Sequence, residues 1–522
     1  MSGIKKLAGQ TAIYGLSTIL GRFLNVFITF YITYVYGGEV FGVFSLAYAY
    51  VTFLNVIFTY GMETSYFRFI QNPEYKHDVF NTAMISIVFT TLIFGGAMIY
   101  YAQGIAEIWR IPENVEYVKW FAWIIIFDTI SAIPFARLRE QGRPVKYATI
   151  KLINILTNVG LIYFFIGMAP GILKNNPNSF LLVAYDPDIK IGYAFIANLV
   201  ASALTLLLLF QEITSVRMKF NFKLWREMMH YSWPLLIVGL GGMINEVLNR
   251  ILLDYRLPYS FSENKKAVGV FNANIKVAAL VNIFIQVFRT GAEPFFFKEA
   301  EKVDARKTYA KVMKFFIIIS CVVFLGVSLF GDTIWGIYLI GTKNHPEYLE
   351  GLGVIPIMAL SYVFLGIYYN LTVWYKLTDK TIYGAYITLI GAVITILINY
   401  FTIPLLGYWG SAWATLICYG LMMHISYKQG QKHYPIPYAR KKLTAYIVIS
   451  IMVYLLYFGL SQFTKDPAIK ITAGAILLLA FVYFISRIEH KEFAKLPYLG
   501  KFFQAPVKAA PLQSQASDNM KA

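Results

Sequence analysis

FGVFSLAYAYVTFLNVIFTYGMETSYFRF, residues 41–69, and VGVFNANIKVAALVNIFIQVFRTGAEPFFFK, residues 268–298, are two versions of one pattern. Each opens with Gly-Val-Phe, at Gly42-Val43-Phe44 and Gly269-Val270-Phe271. Each continues as a long apolar helix with an asparagine at the same distance, Asn55 and Asn282. Each closes on a glutamate shortly before a cation, in Gly61-x-Glu63-x-x-x-Phe67-Arg68 and Gly291-x-Glu293-x-x-x-Phe297-Lys298. An apolar run of membrane length that ends twice on the same polar signature marks the chain as two related halves. Each half carries a polar site near one membrane face.

The rest of the chain agrees with a membrane setting. Of 522 residues, 58% are hydrophobic and 14% charged, far from the balance of a soluble domain. The apolar residues come in runs of about 20, the length that spans hydrocarbon as a helix. The alternation expected of a membrane barrel is absent. The fold class is therefore all-α: a polytopic membrane protein with about fourteen spans. The net charge of +18 would point to nucleic acid in a soluble protein. Here the cations sit mostly in short loops between apolar runs, where they set topology and give no reason to expect a nucleic-acid partner.

The repeat reaches beyond its seed. Gly21-x-x-x-Asn25 in the first span is matched by Gly241-x-x-x-Asn245 in the seventh, and the loop Leu138–Pro144 by the loop Tyr375–Lys380. Six spans separate each pair, and an even number preserves orientation, so the halves are parallel repeats. The expected organisation is residues 1–213 as one six-helix lobe, 214–428 as a second, 429–487 as two extra spans and 488–522 as a partly disordered tail. Lysine and arginine concentrate on one set of loops, among them Arg137 to Lys146 and Arg217 to Arg226, which places both termini in the cytoplasm. The loop with Arg256, Lys265 and Lys266 breaks this rule, and Asp254 and Glu263 offset it in part.

No Walker-type loop, no paired-histidine metal motif and no hydrolase constellation is visible, so an enzyme is not expected and no metal site is assigned. Charges inside the hydrocarbon carry the information instead. A cation at mid-span costs about 2.5–3.5 kcal/mol on insertion scales, so it faces protein or water. Arg22 lies near the middle of the first span, on one stripe with Thr18, Asn25 and Thr29. Lys276 lies roughly 13 Å into the eighth span, with Asn272 one turn away on the same face. Its repeat partner is Ala49, so this cation belongs to one half only. Glu246 and Arg250, four apart in the seventh span, are spaced to pair with each other. Glu63, Arg68, Arg289 and Glu293 sit toward the cytoplasmic ends, either as a gate that closes by ion pairing between lobes or as residues reaching the interface from their own helices. Asp128, six residues before Pro134, is placed to cap or kink the fourth span.

The stretch Asn399-x-x-x-x-Pro404-x-x-Gly407-x-x-Gly410-Ser411-Ala412-Trp413-Ala414-Thr415 resembles the eleventh-to-twelfth-span hallmark of polysaccharide exporters. Gly15 to Asn25, Tyr36-Gly37, Phe41-Gly42 and the Arg139-Glu140-Gln141-Gly142-Arg143 loop fit the same group. The chain thus resembles the Wzx-type lipid-linked oligosaccharide flippases, whose superfamily also holds the lipid II flippases and the MATE multidrug exporters. The resemblance implies a two-lobed molecule in a bacterial cytoplasmic membrane. It would carry a polyprenyl-pyrophosphate-linked glycan outward by alternating access, for cell-surface polysaccharide. It implies no cofactor, a proton or sodium ion as candidate coupling ion, a monomer, and a polysaccharide polymerase or glycosyltransferases as candidate partners. On this reading Arg22, Asn25, Arg250, Asn272 and Lys276 bind substrate, because clefted cations hold phosphate oxygens strongly. A MATE-type cation-coupled drug exporter is the alternative, and it would place carboxylates deep in the lobes.

Overall fold

The computed structural model describes residues 20–494 except 22, 177–178, 180–184, 301, 334–343 and 379. Arg22 lies outside the described residues, as does the side chain of Glu293. The first half consists of α1 (Phe23–Val35), α2 (Gly38–Thr59), α3 (Met62–Phe69), α4 (Val79–Tyr100), α5 (Ala102–Ile108), α6 (Val115–Glu140), α7 (Pro144–Ile162), α8 (Ala169–Asn175), α9 (Gly192–Leu208) and α10 (Phe210–Thr214). The second consists of α11 (Phe222–Arg256), α12 (Phe261–Glu299), α13 (Ala305–Ser328), α14 (Val354–Leu371), α15 (Val373–Leu377), α16 (Ile382–Leu406) and α17 (Tyr408–His433). Then follow α18 (Arg440–Ser461), α19 (Pro467–Ile488) and α20 (His490–Phe493).

Among the described residues, eleven helical runs are long and apolar enough to cross a membrane. Phe23–Val35 and Gly192–Leu208 are apolar but shorter, and α17 is long enough but less apolar. These three fall where the first, sixth and twelfth spans are expected. The protein is an all-α, multi-pass membrane protein.

Local chemistry explains the main breaks. Tyr60 (φ 32°) and Gly61 (φ 73°) both take the left-handed conformation, which ends α2 and restarts the chain as α3. A Cβ on Gly61 would press on Leu235 and the Ser232 carbonyl of α11. In the second half α12 runs unbroken through the matching position, so the repeat has diverged there. Gly407 (φ 59°) makes a one-residue turn between α16 and α17, and Pro404 lies inside the last turn of α16. Pro134 sits inside a continuous α6, and Asp128 neither caps nor interrupts that helix.

Within the first half α6 packs on α4 and α9, and α7 on α9; within the second α14 packs on α12 and α17, and α16 on α11 and α17. The halves meet where α2 crosses α12. The two Gly-Val-Phe seeds face each other there: a Cβ on Gly42 would overlap the Lys265 carbonyl, and one on Gly269 would overlap the Gly38 carbonyl. The missing side chains let the two backbones touch. The α1–α2 turn is then tied to the segment before α14, with Glu347 accepting from the Gly38 N–H (3.1 Å) and Tyr348 donating to the Tyr36 carbonyl (2.9 Å).

The last two long helices pack on α13 and on each other. Glu489 anchors them, receiving Lys442 (2.6 Å), Tyr446 (2.5 Å) and Lys314 (2.9 Å). Burial alone would raise this carboxyl, but the hydrogen bonds from Lys442, Tyr446 and Lys314 outweigh it and hold it below the usual carboxylate range.

Candidate functional site

Each half encloses a polar cavity, and the two lie at repeat-related places. The first-half cavity, about 400 Å³, is bounded by α2, α3, α6, α7 and α9, and the second, about 380 Å³, by α11, α12, α14, α15, α16 and α17. Asn55 lines the first and Asn282 the second, so the duplicated asparagines do the same job twice.

The charges differ between the two. In the first, Glu63 pairs with Arg139, and Lys151 stands 4.3 Å over the Phe135 ring, within electrostatic reach of Asp128. Asn154 donates to Thr205 (2.9 Å) and Asn198 to Tyr48 (3.0 Å), completing a polar lining in which two carboxylates meet two cations. Lys151 is a site residue that the sequence reading missed.

In the second, Arg289, Lys376 and Glu246 line the cavity. Lys276 is within electrostatic reach of Arg250 and Glu246, and Arg250 also neighbours Tyr362 and Tyr419. Among the described residues neither Lys276 nor Arg250 closes an ion pair within 4 Å. These groups are surrounded by protein, yet Glu246 is exposed and Lys276 and Arg250 are partly so. Glu246 lines the cavity, and the two cations are partly exposed behind it, with the Arg250 Nε buried and unpaired. The expected Glu246–Arg250 pair is therefore part of a three-charge cluster with an excess cation.

Other expected site residues are placed differently. Asn272 is buried and donates to Ser45 of α2 (2.7 Å), so it is spent on the contact between halves and not on the cleft beside Lys276. Asn25 is exposed, and its carbonyl accepts the Thr29 hydroxyl one turn on. Of the expected gate, Glu63 pairs inside its own half, Arg289 lies over the Tyr369 ring of its own half (4.5 Å), and Arg68 stands 5.5 Å from the Tyr231 ring of α11. No ion pair among the described residues joins these four across the halves.

A buried ionic contact between the halves exists at the other face, the one predicted extracytoplasmic. Asp254 of α11 receives Lys265 of α12 (3.0 Å), both almost wholly buried, and Arg110 of the first half (3.7 Å). Lys265 also reaches the Trp109 carbonyl (3.4 Å), and Asn264 donates to the carbonyls of Asp254 and Leu257. Of the cations that break the loop-charge rule, Lys265 thus forms part of a seam, while Arg256 lies 4.0 Å over the Tyr400 ring and Lys266 reaches Glu350 (3.6 Å).

A family model described as polysaccharide biosynthesis protein matches residues 7–299, more than half of the chain. The chain belongs to the polysaccharide biosynthesis protein family. This member shares its fold with a lipid II flippase, MurJ, in an inward closed conformation: TM-score 0.65 at 15% identity, covering 91% of this chain and 98% of that one. It is also similar to an inward-facing multidrug resistance MATE transporter of the MOP superfamily: TM-score 0.61 at 14% identity, covering 83% and 98%. No curated protein matches it in sequence. For this family member the structural likenesses establish the architecture around the two cavities. Likenesses at this identity show the fold alone, because one fold serves many substrates.

Proposed function

We propose that this protein is a flippase for a polyprenyl-pyrophosphate-linked oligosaccharide. It would have fourteen spans in two six-helix lobes plus two extra helices, lie in a bacterial cytoplasmic membrane with both termini inside, and act by alternating access. The observation that carries the reading is the cluster of Lys276 and Arg250 with the single carboxylate Glu246, deep in the protein and partly exposed. Two cations against one carboxylate leave a positive charge that the scaffold does not neutralise. A pyrophosphate supplies that counter-charge, and Arg22 on the first span is the second anchor in the other half. Coupling to a proton or sodium ion, and a polymerase or glycosyltransferase as neighbour, belong to the same proposal.

A second reading has one observation in its favour. Asp128 lies deep in the first half, where a cation-coupled drug exporter would want a carboxylate. Lys151 already stands beside it as a built-in cation, which weighs against an open cation site. The test is charge reversal. Arg22→Glu and Lys276→Glu should abolish surface glycan while normal amounts of protein reach the membrane, and Lys276→Arg should keep much of the export. Normal export by the alanine variants at normal membrane levels would remove the anchor role.

A further inference from the structure

The two cavities have nearly equal volumes and equivalent positions, yet their linings have diverged in one direction. The first is ionic and holds a single tyrosine, Tyr147. The second holds five, Tyr362, Tyr368, Tyr369, Tyr375 and Tyr419. The scaffold common to both halves needs neither lining, so the tyrosines answer to something particular to the second half. Four of them are buried against the protein and show only a small part of their surface to the cavity, which fixes their orientation. Around them stand the amides of Asn282 and Gln286, which carry donors and acceptors, the hydroxyls of Thr372 and Thr388, whose protons go to their own helix carbonyls (2.7 and 2.8 Å) and whose oxygens can still accept, and the carboxylate of Glu246.

Rings interleaved with two-way hydrogen-bonding groups match the surface of a sugar. One face of a pyranose presents polarised C–H groups, which are drawn to the negative face of an aromatic ring. Its rim presents hydroxyls that need donors and acceptors alike. An aromatic pocket with a glutamate would also suit an organic cation. The charges oppose that occupant: Arg289 already lies 4.5 Å over Tyr369, Lys376 lines the same wall, and Arg250 and Lys276 flank Glu246. At about 380 Å³ the space falls within the range of small-ligand sites.

We infer that the tyrosine-lined cavity of the second half is a sugar subsite, holding the first residues of a neutral or acidic glycan next to the phosphate anchor at Lys276 and Arg250. This rests on the flippase reading above and adds to it the place and chemical nature of glycan recognition.

The test uses the full chain in lipid nanodiscs and four probes: polyprenol, undecaprenyl pyrophosphate, and undecaprenyl pyrophosphate bearing one N-acetylglucosamine and, separately, one glucose. Binding is read by native mass spectrometry. The sugar-bearing lipids should bind the wild type about tenfold more tightly than the bare pyrophosphate, a modest stacking gain. Tyr369→Ala and Tyr375→Ala, at rings that do not neighbour Arg250, should erase that increment and leave bare-lipid binding within about twofold, the scatter allowed to sites without shared partners. Tyr369→Phe, which keeps the ring, should retain it. An increment that is absent for both sugars, that survives in the alanine variants, or that falls only together with bare-lipid binding, overturns the subsite. If the pyrophosphate lipids bind the wild type no better than polyprenol, the flippase reading itself fails.

Discussion

Lys151 and Lys276 are both lysines within apolar helices, and the protein settles them in different ways. Lys151 has Asp128 in the same cavity and the Phe135 ring beneath it. Lys276 has a second cation, Arg250, beside it and one shared carboxylate. Their removal should therefore move stability in opposite directions. Lys151→Met strands Asp128 and should destabilise by about 1–3 kcal/mol, and adding Asp128→Asn should restore most of that loss. Lys276→Met relieves a like-charge contact and should leave the melting temperature equal or higher while transport is lost. A fall in melting temperature for Lys276→Met as large as for Lys151→Met would contradict this division. The sequence exposes Lys276 because it sits well inside its span. Lys151 hides at the beginning of its span, where a lysine ordinarily snorkels to the interface. Asp128 is visible as a buried charge, but its partner is on another helix, and spacing along one helix cannot show that. Asn272 illustrates the same limit: its position one turn from Lys276 is legible, whereas Ser45 opposite it comes from the other half of the chain.

At the level of elements, the Gly-Val-Phe repeat reads correctly as a duplication, but its purpose appears only when α2 and α12 are seen crossing. The repeated glycines are the contact, each lying against the backbone of the opposite helix. Since the opposing atoms are carbonyl oxygens and not flexible side chains, neither helix can yield locally. Gly42→Ala and Gly269→Ala should each force the pair apart and destabilise by about 1–3 kcal/mol, the usual cost of overpacking. Gly104→Ala, where a Cβ would meet open space, is the control. Thermal unfolding in detergent checks this, and tolerance of both substitutions at control level would contradict it. Most helices are legible from apolar length alone. The break at Tyr60–Gly61 and the unbroken α12 are not, because the same glycine spacing permits either course and tertiary packing against α11 selects between them.

Across the whole molecule, two polar cavities flank a joint that is closed at the cation-poor face by backbone contact, by Asn272 to Ser45, and by the buried Asp254, Lys265 and Arg110 cluster. Two buried charges so paired contribute little net stability, but leaving either alone is costly, which makes the seam hold or open as a unit. Arg256, Lys265 and Lys266 were visible in the sequence as exceptions to the loop-charge rule; that Lys265 shares a buried carboxylate with a first-half arginine, while Arg256 lies over Tyr400 and Lys266 reaches Glu350, required the fold. Among the described residues, no ion pair joins Glu63, Arg68 and Arg289 across the halves; Glu63 instead pairs with Arg139 inside its own cavity. On the flippase account the ligand is a lipid-linked glycan entering from the inner leaflet. The most direct test is to deplete the protein from growing cells and locate polyprenyl-pyrophosphate-linked sugar in each leaflet, using an impermeant glycan-modifying enzyme on intact and lysed cells. The account predicts that sugar-bearing lipid accumulates where only lysed cells expose it, and that surface glycan falls in step. Unchanged arrival of the glycan at the outer leaflet, together with new sensitivity to cationic drugs, would contradict it.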